Sequence, residues 1–314
     1  MPKLNWISDL SSDELREFLK SVDTILFDID GVLARASTIL PGTVDAVGKF
    51  RQLGKKICFV TNNAIAPPEV LKAKLIPFQA SLEEIVTPNI TLLAYLKKID
   101  FQKTIYIIGS RFTKKMLREA GYSVIEYKDL QTTDVEETLS SAMQVSLRVL
   151  DACKNVGIVY ADLDINLQNM AVHVAKILLK HMDDVQFLTG TSDDRIPIGE
   201  NFSLIGPKYF IDGLQRWSGV QAIPLAKPGR VLKEVIDAKF GISQDNRVLM
   251  VGDNISTDIT FGIESGFQTL LLLTGDTKKQ QAVDWAFDED LKPDYVAHSL
   301  QEVYEKVKTI PTAL

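Results

Sequence analysis

Four short apolar runs that each end in polar or charged residues punctuate the chain. Thr24-Ile25-Leu26-Phe27 runs into Asp28-Ile29-Asp30-Gly31, and Lys56-Ile57-Cys58-Phe59-Val60 runs into Thr61-Asn62-Asn63. Ala222-Ile223-Pro224-Leu225 leads to Ala226-Lys227-Pro228, and Arg247-Val248-Leu249-Met250-Val251 leads to Gly252-Asp253-Asn254, with Asp258 five positions beyond Asp253. Runs of this length predict strands buried on both faces of a parallel sheet, where no polar side is needed. Helical spacing around Thr43 to Leu53 supplies a crossover between the first two. Ser11-Ser12-Asp13-Glu14 reads as a capping box ahead of Leu15, Phe18, Leu19 and Val22. Near the other end, Tyr295-Val296-Ala297 predicts a last strand and Ser299-x-x-Glu302 the start of a closing helix. Both termini therefore belong with the four runs.

The spacing of the polar tips predicts a second domain. Asp30 and Thr61 are 31 positions apart, room for one helix, whereas Thr61 and Lys227 are 166 apart. The long interval holds strands of its own at Thr104 to Gly109 and Gly157 to Tyr160, with helical stretches near Arg111 to Glu119 and Leu167 to Leu179. The expected fold is α/β: a doubly wound parallel-sheet core over 1–99 and 221–314, with an inserted α/β cap over 100–220. Hinges are expected near Asp100 and near Ser218-Gly219.

In an open parallel sheet, ligands bind outside the carboxyl ends of the strands, so all four polar tips can converge. Residues i and i+2 of an extended chain point the same way, which lets Asp28 and Asp30 share one small volume, with Gly31 permitting a sharp turn. Two carboxylates packed that closely need a cation between them or a proton on one, and Mg²⁺ is the natural cation for an oxygen-only donor set. The competing reading of this motif alone is an ordinary acidic turn. The partners elsewhere favour phosphate-ester chemistry: Asp28 can attack phosphorus, Asp30 can protonate the leaving oxygen, Thr61 can donate to a phosphoryl oxygen, Lys227 can neutralise it and Asp253 can hold the metal.

The ordered set DIDGV, VTNN, Lys227-Pro228 and GDNISTD resembles the signatures of the haloacid dehalogenase superfamily. DGVL followed by Pro41-Gly42, FVTNNA, VLMVGDNISTDI and LLLLTGDT is similar to the phosphoglycolate, pyridoxal phosphate and 4-nitrophenyl phosphate phosphatases. The resemblance implies that Asp28 forms a phosphoaspartyl intermediate and binds Mg²⁺. It makes Asp30 the general acid/base, lending its carbonyl to the metal, and Asp253 the third ligand. Thr61, Asn62 and Asn63 would form the phosphate-binding loop, with the backbone of Asn62 assisting Thr61. Lys227 would steady Asp28 and the phosphate, Asp258 would orient Lys227 or metal-bound water, and Gly31 and Asn254 would support the loops. A cap of this kind favours a small phosphorylated metabolite over a phosphoprotein, and the resembled enzymes imply a homodimer formed through it.

Departures from that family pattern lie in the regions expected to select substrate: Ala34-Arg35-Ala36 after DGVL, Tyr160-Ala161-Asp162-Leu163-Asp164, and Leu188-Thr189-Gly190-Thr191. Arg35, Asp162 and Asp164 are expected to be solvated surface charges. A net charge of −6 over 314 residues disfavours nucleic acid or an anionic membrane as partner, and the Lys114-Lys115 and Lys278-Lys279 pairs read as solvated surface. Cys58 and Cys153, the latter in a polar stretch, point to no disulfide framework and to a reducing compartment. With no apolar stretch long enough to cross a membrane and no leader pattern at the amino terminus, the expected location is cytoplasmic. Alternatives to a metabolite phosphatase are a phosphoprotein phosphatase, a phosphotransferase, and a non-catalytic regulatory protein that binds phosphate esters.

Overall fold

The computed structural model describes residues 4–130, 138–198 and 202–311. Eleven strands build its two main sheets: β1 (Thr24–Phe27), β2 (Lys56–Val60), β3 (Ile85–Val86), β4 (Thr104–Ile108), β5 (Ser123–Ile125), β6 (Val156–Ala161), β7 (Gln186–Thr189), β8 (Ile223–Pro224), β9 (Val248–Gly252), β10 (Gln268–Leu272) and β11 (Tyr295–Ala297). Five helices matter below: α1 (Ser12–Ser21), α2 (Thr43–Gln52), α3 (Pro68–Lys74), α4 (Pro88–Lys98) and α5 (Arg111–Glu119). The chain divides into two compact units, 1–61, 68–87 and 227–314 forming the first and 62–67 and 88–226 the second.

The first unit carries a six-stranded sheet in the order β11-β10-β9-β1-β2-β3, every neighbouring pair parallel. Counted within the unit this is the doubly wound order 3-2-1-4-5-6, whose direction reverses between β1 and β9. β1 and β9 are buried at every position, as strands covered on both faces must be. Apolar side chains from the centre of the sheet, among them Leu26, Cys58, Val60 and Met250, form one cluster with Leu232, Ile236 and Phe261. Cys58 is a packing residue here. The capping box at Ser11 is present, its hydroxyl accepting from the Glu14 N–H while the Glu14 carboxylate accepts from the Ser11 N–H, and α1 buries Leu15, Phe18 and Leu19. Such a cap contributes about 1 kcal/mol. Ser299 caps the closing helix Leu300–Val307 in the expected way.

The second unit has its own five-stranded parallel sheet, in the order β8-β7-β6-β4-β5. Its core gathers Tyr106, Val159, Ile177, Leu178, Phe187 and Leu214 with Cys153, which is buried rather than placed in a polar stretch. A helix over Leu139–Ala152 that was not foreseen ends just before that cysteine.

The observed division differs from the expected one at several points. Helix α4 and residues 62–67 group with the second unit, so the divisions fall at 61/62, 67/68, 87/88 and 226/227 and not at Asp100 or Ser218-Gly219. A buried polar tie joins these segments: Asn89 in α4 donates to the Ala64 carbonyl at 2.8 Å and accepts from the Thr113 hydroxyl of α5 at 2.9 Å. The run Ala222 to Leu225 is not a core strand either. Its two extended residues, β8, pair with Leu188 and Thr189 of β7, and the first unit resumes only at Lys227.

Candidate active site

Asp28 follows directly on β1, its N–H donating to the Val251 carbonyl, and the side chain is buried. Its Oδ1 lies 2.5 Å from Nζ of Lys227, which is 2 % exposed. The same ammonium reaches Oδ1 of Asp258 at 2.7 Å and the Val60 carbonyl at 3.1 Å. Lysine buried this completely needs such partners, and the two carboxylates hold it charged, raising its pKa against the cost of burial. Asp258 sits in a π-helical turn over Ile255–Ile259, and its Oδ2 accepts from the N–H groups of Asp253 and Asn254, both at 3.1 Å. A side chain on Gly252 would collide with it.

Asp253 follows β9 and is also buried. Its Oδ2 accepts from the Asp276 N–H at 2.6 Å, and its carbonyl from the Thr277 N–H. Gly31 is constrained twice over: its φ is +93°, and a Cβ there would lie 2.4 Å from Oδ2 of Asp253. Gly275 approaches the same oxygen from the other side, where a Cβ would lie at 1.8 Å. Thr274 ties the two glycine segments together by donating to the Gly31 carbonyl. Asn254 caps the π-helical turn by accepting from Ser256 and Thr257 N–H and donates to Asp276 at 3.0 Å.

The electrostatics describe a cation site. Burial, then the charges of Asp258 and Asp253, push Asp28 well above the usual carboxylate range against the pull of Lys227. Burial and the Asp258 charge push Asp253 up to about 7. Among the described residues, Asp28, Asp253 and Asp258 form the group of possible ligands whose oxygens all lie within 4.8 Å of one another. Three carboxylates against one ammonium leave an excess of negative charge in a dry place, and the donors are all oxygen, so the residues fit a hard divalent cation.

Asp30 behaves differently. The strand ends at Phe27, Ile29 lies in a bend, and Asp30 forms an isolated bridge with Ala34. The Asp30 side chain is 46 % exposed and its Oδ1 pairs with Nζ of Lys74, the last residue of α3, at 2.8 Å. Lys74 carried no motif and was not singled out from sequence. Thr61, at the end of β2, is buried, its N–H bonded to the Val86 carbonyl. Asn62 and Asn63 group with the second unit. The Asn63 side-chain oxygen accepts from the N–H groups of Ile65 and Ala66, a local turn.

The expected surface charges also divide. Arg35 is exposed and donates to the Thr274 carbonyl at 2.5 Å. Asp162 is buried at 1 % exposure: its Oδ2 accepts from the Tyr160 hydroxyl, its Oδ1 from the N–H groups of Leu163 and Thr191, and burial raises its pKa to about 7. Asp164 and Lys114 are not solvated either, since they pair with each other.

Comparison with known proteins identifies the family. Residues 25–123 match the family model for haloacid dehalogenase-like hydrolases, and residues 224–303 match a second, HAD-hydrolase-like model. The chain is 26 % identical to phosphoglycolate phosphatase 2 of Arabidopsis thaliana, over 96 % of this chain and 98 % of that one. It is 29 % identical to the 4-nitrophenylphosphatase of Schizosaccharomyces pombe, over 94 % and 97 %. The p-nitrophenyl phosphatase from Archaeoglobus fulgidus superposes with a TM-score of 0.73 at 22 % identity, covering 90 % of this chain and 98 % of that one. The chain belongs to the haloacid dehalogenase-like hydrolases, among their phosphatases. Among the described residues, no helix is long and apolar enough to cross a membrane.

Proposed function

We propose that the protein is a Mg²⁺-dependent phosphomonoesterase that hydrolyses a small phosphorylated metabolite, of the size of phosphoglycolate, glycerol phosphate or pyridoxal phosphate, through a phosphoaspartyl intermediate. The observation that carries this reading is the buried chain Asp28–Lys227–Asp258 beside Asp253 at the reversal point of the first sheet. Lys227 holds Asp28 with one carboxylate oxygen engaged and the other available to attack phosphorus. As the ester bond breaks, Asp30 gives a proton to the leaving oxygen, and it later takes one from the water that cleaves the aspartyl phosphate. Thr61, with the backbone of Asn62, donates to the phosphoryl oxygens, while Lys227 offsets their charge.

Asp28, Asp253 and the Asp30 carbonyl would hold Mg²⁺, which supplies further neutralisation of the phosphoryl group when bound. Both Asp258 oxygens are engaged by Lys227 and backbone N–H groups, which supports the reading that it positions Lys227. The second unit acts as the cap that selects substrate, and the protein works in the cytoplasm as a homodimer. In support of the dimer, Leu139, Met143 and Leu147 lie along one face of the helix 139–152 at 92, 66 and 59 % exposure.

The test is phosphate release from 4-nitrophenyl phosphate, a metabolite panel and phosphopeptides, with Mg²⁺ and with chelator. Metal-dependent turnover of small esters is expected. Turnover confined to phosphopeptides, or none at all, overturns the reading.

A further inference from the structure

The second unit has a reversal point of its own. Counted within the unit, its sheet order is 2-1-3-4-5, with β5 on one side of β4 and β6, β7 and β8 on the other. In this arrangement the loops leaving β4 and β6 diverge, and the crevice between them is where doubly wound sheets take ligands. A cavity of about 410 Å³ lies there, lined by Gly109 to Phe112 after β4 and by Leu163 to Asn166 after β6. That volume is within the range of small-molecule sites, roughly 300–1,000 Å³.

The lining has a definite chemistry. Lys114 projects from α5 and is 8 % exposed, whereas the side chain of its neighbour Lys115 is 72 % exposed, because successive helix positions face different ways. Its ammonium is held by Glu126 at 2.7 Å and Asp164 at 3.3 Å. Arg111, Arg118 and Lys128 add three further cations to the wall; Arg118 pairs with Glu126 at 3.6 Å and with Asp129 at 3.9 Å, so four positive groups meet three carboxylates, Glu126, Asp164 and Asp129. Ile107, Ile108 and Leu163 supply an apolar surface beside them. A paired lysine within a wall that still carries excess positive charge, next to aliphatic side chains, suits a compact anion with a short carbon skeleton. Arginine's planar fork matches a carboxylate in particular.

We propose that this cavity binds a small organic carboxylate, with Arg111 and Lys114 as its principal contacts. The ligand of this chemistry is a free metabolite acting as an effector.

Calorimetric titration of the full chain with glycolate, malate and citrate tests the site. At least one is expected to bind with one-to-one stoichiometry, about tenfold more weakly in Arg111→Ser, as loss of a charge-assisted contact implies, and unchanged in Asp28→Asn. Lys114→Met should abolish binding. Should the unpaired Glu126 and Asp164 unfold that variant, the exposed Arg111 position decides alone. Failure of all three acids to bind, binding indifferent to Arg111→Ser, or binding lost in Asp28→Asn overturns the proposal.

Adding the bound acid to a 4-nitrophenyl phosphate assay reads its effect: a changed kcat at saturating ester is expected of an effector, and a purely competitive rise in KM overturns the effector role. A chain that bound the acid yet hydrolysed no ester would defeat the phosphatase reading and leave this one standing.

Discussion

The molecule contains two doubly wound sheets, and their reversal points are built from opposite charges. In the first unit the loops after β1 and β9 present Asp28, Asp253 and Asp258 around one buried lysine, so carboxylates predominate. In the second, helix α5, which follows β4, places Lys114 between Glu126 after β5 and Asp164 after β6, within a wall that also carries Arg111, Arg118 and Lys128. The same topology puts strand ends together in both places, and side-chain chemistry decides what each crevice can hold. The acidic one suits a metal ion and the phosphoryl group it neutralises. The basic one suits an organic anion.

The largest expected effect tests the acidic end. Asp28→Asn keeps the shape but removes the nucleophile, and kcat should fall by about 10³-fold or more, as when a nucleophile is deleted from other covalent hydrolases. Single-turnover kinetics would show it, and retained turnover would break the assignment.

A second experiment concerns Lys74, the partner of Asp30. A general acid contributes about 10²–10⁴-fold, most of it where the leaving group is poor. Lys74→Met should therefore slow hydrolysis of alkyl phosphates by about tenfold while 4-nitrophenyl phosphate, whose leaving group needs little protonation, changes by less. Lys74→Arg should restore the alkyl rate. Equal loss on both substrates would reduce Lys74 to a structural contact.

Gly275→Ala sharpens the account of the metal end. With a Cβ aimed at Oδ2 of Asp253, the 274–277 loop must withdraw. The Mg²⁺ concentration for half-maximal activity should rise by about tenfold, within the range seen when groups that orient metal ligands are removed. An unchanged metal requirement would show that this loop does not position Asp253.

The smallest effect concerns the second unit. Folding raises the Asp162 carboxyl to about 7 from the usual carboxylate range. Between those values the folded chain holds a proton that the unfolded chain has released, so Asp162 makes stability fall as pH rises through that window. Differential scanning calorimetry from pH 5 to 8 should show a decline of a few degrees that Asp162→Asn removes. A decline of the same size in the variant would assign it to other groups.

Much of the catalytic frame was legible from sequence because its signals are local. Continuous apolar runs gave β1, β2 and β9, Ser11 and Glu14 cap α1 from three residues apart, and Asp28, Asp253 and Asp258 follow core strands as expected, whereas Lys227 reaches them although the run before it is not a core strand. What escaped depends on partners distant in sequence. Lys74 and Lys114 look like ordinary surface lysines until folding brings Asp30 and Asp164 to them, and Asp162 looks solvated until Thr191 supplies an N–H. Asn89 ties α4 to residues 64 and 113 through two hydrogen bonds that no periodicity records. The Asp30–Lys74 ion pair likewise joins residues 44 positions apart, with no local signal to announce it.

The central claim, that Asp28 carries the phosphoryl group between ester and water, is tested most directly by acid-quenching the enzyme during turnover and mapping the bound phosphate by mass spectrometry. The account predicts phosphate on the peptide containing Asp28 and none in Asp28→Asn. Phosphate on a different side chain, or steady turnover with no phosphorylated peptide under quench conditions that preserve an aspartyl phosphate standard, would contradict it.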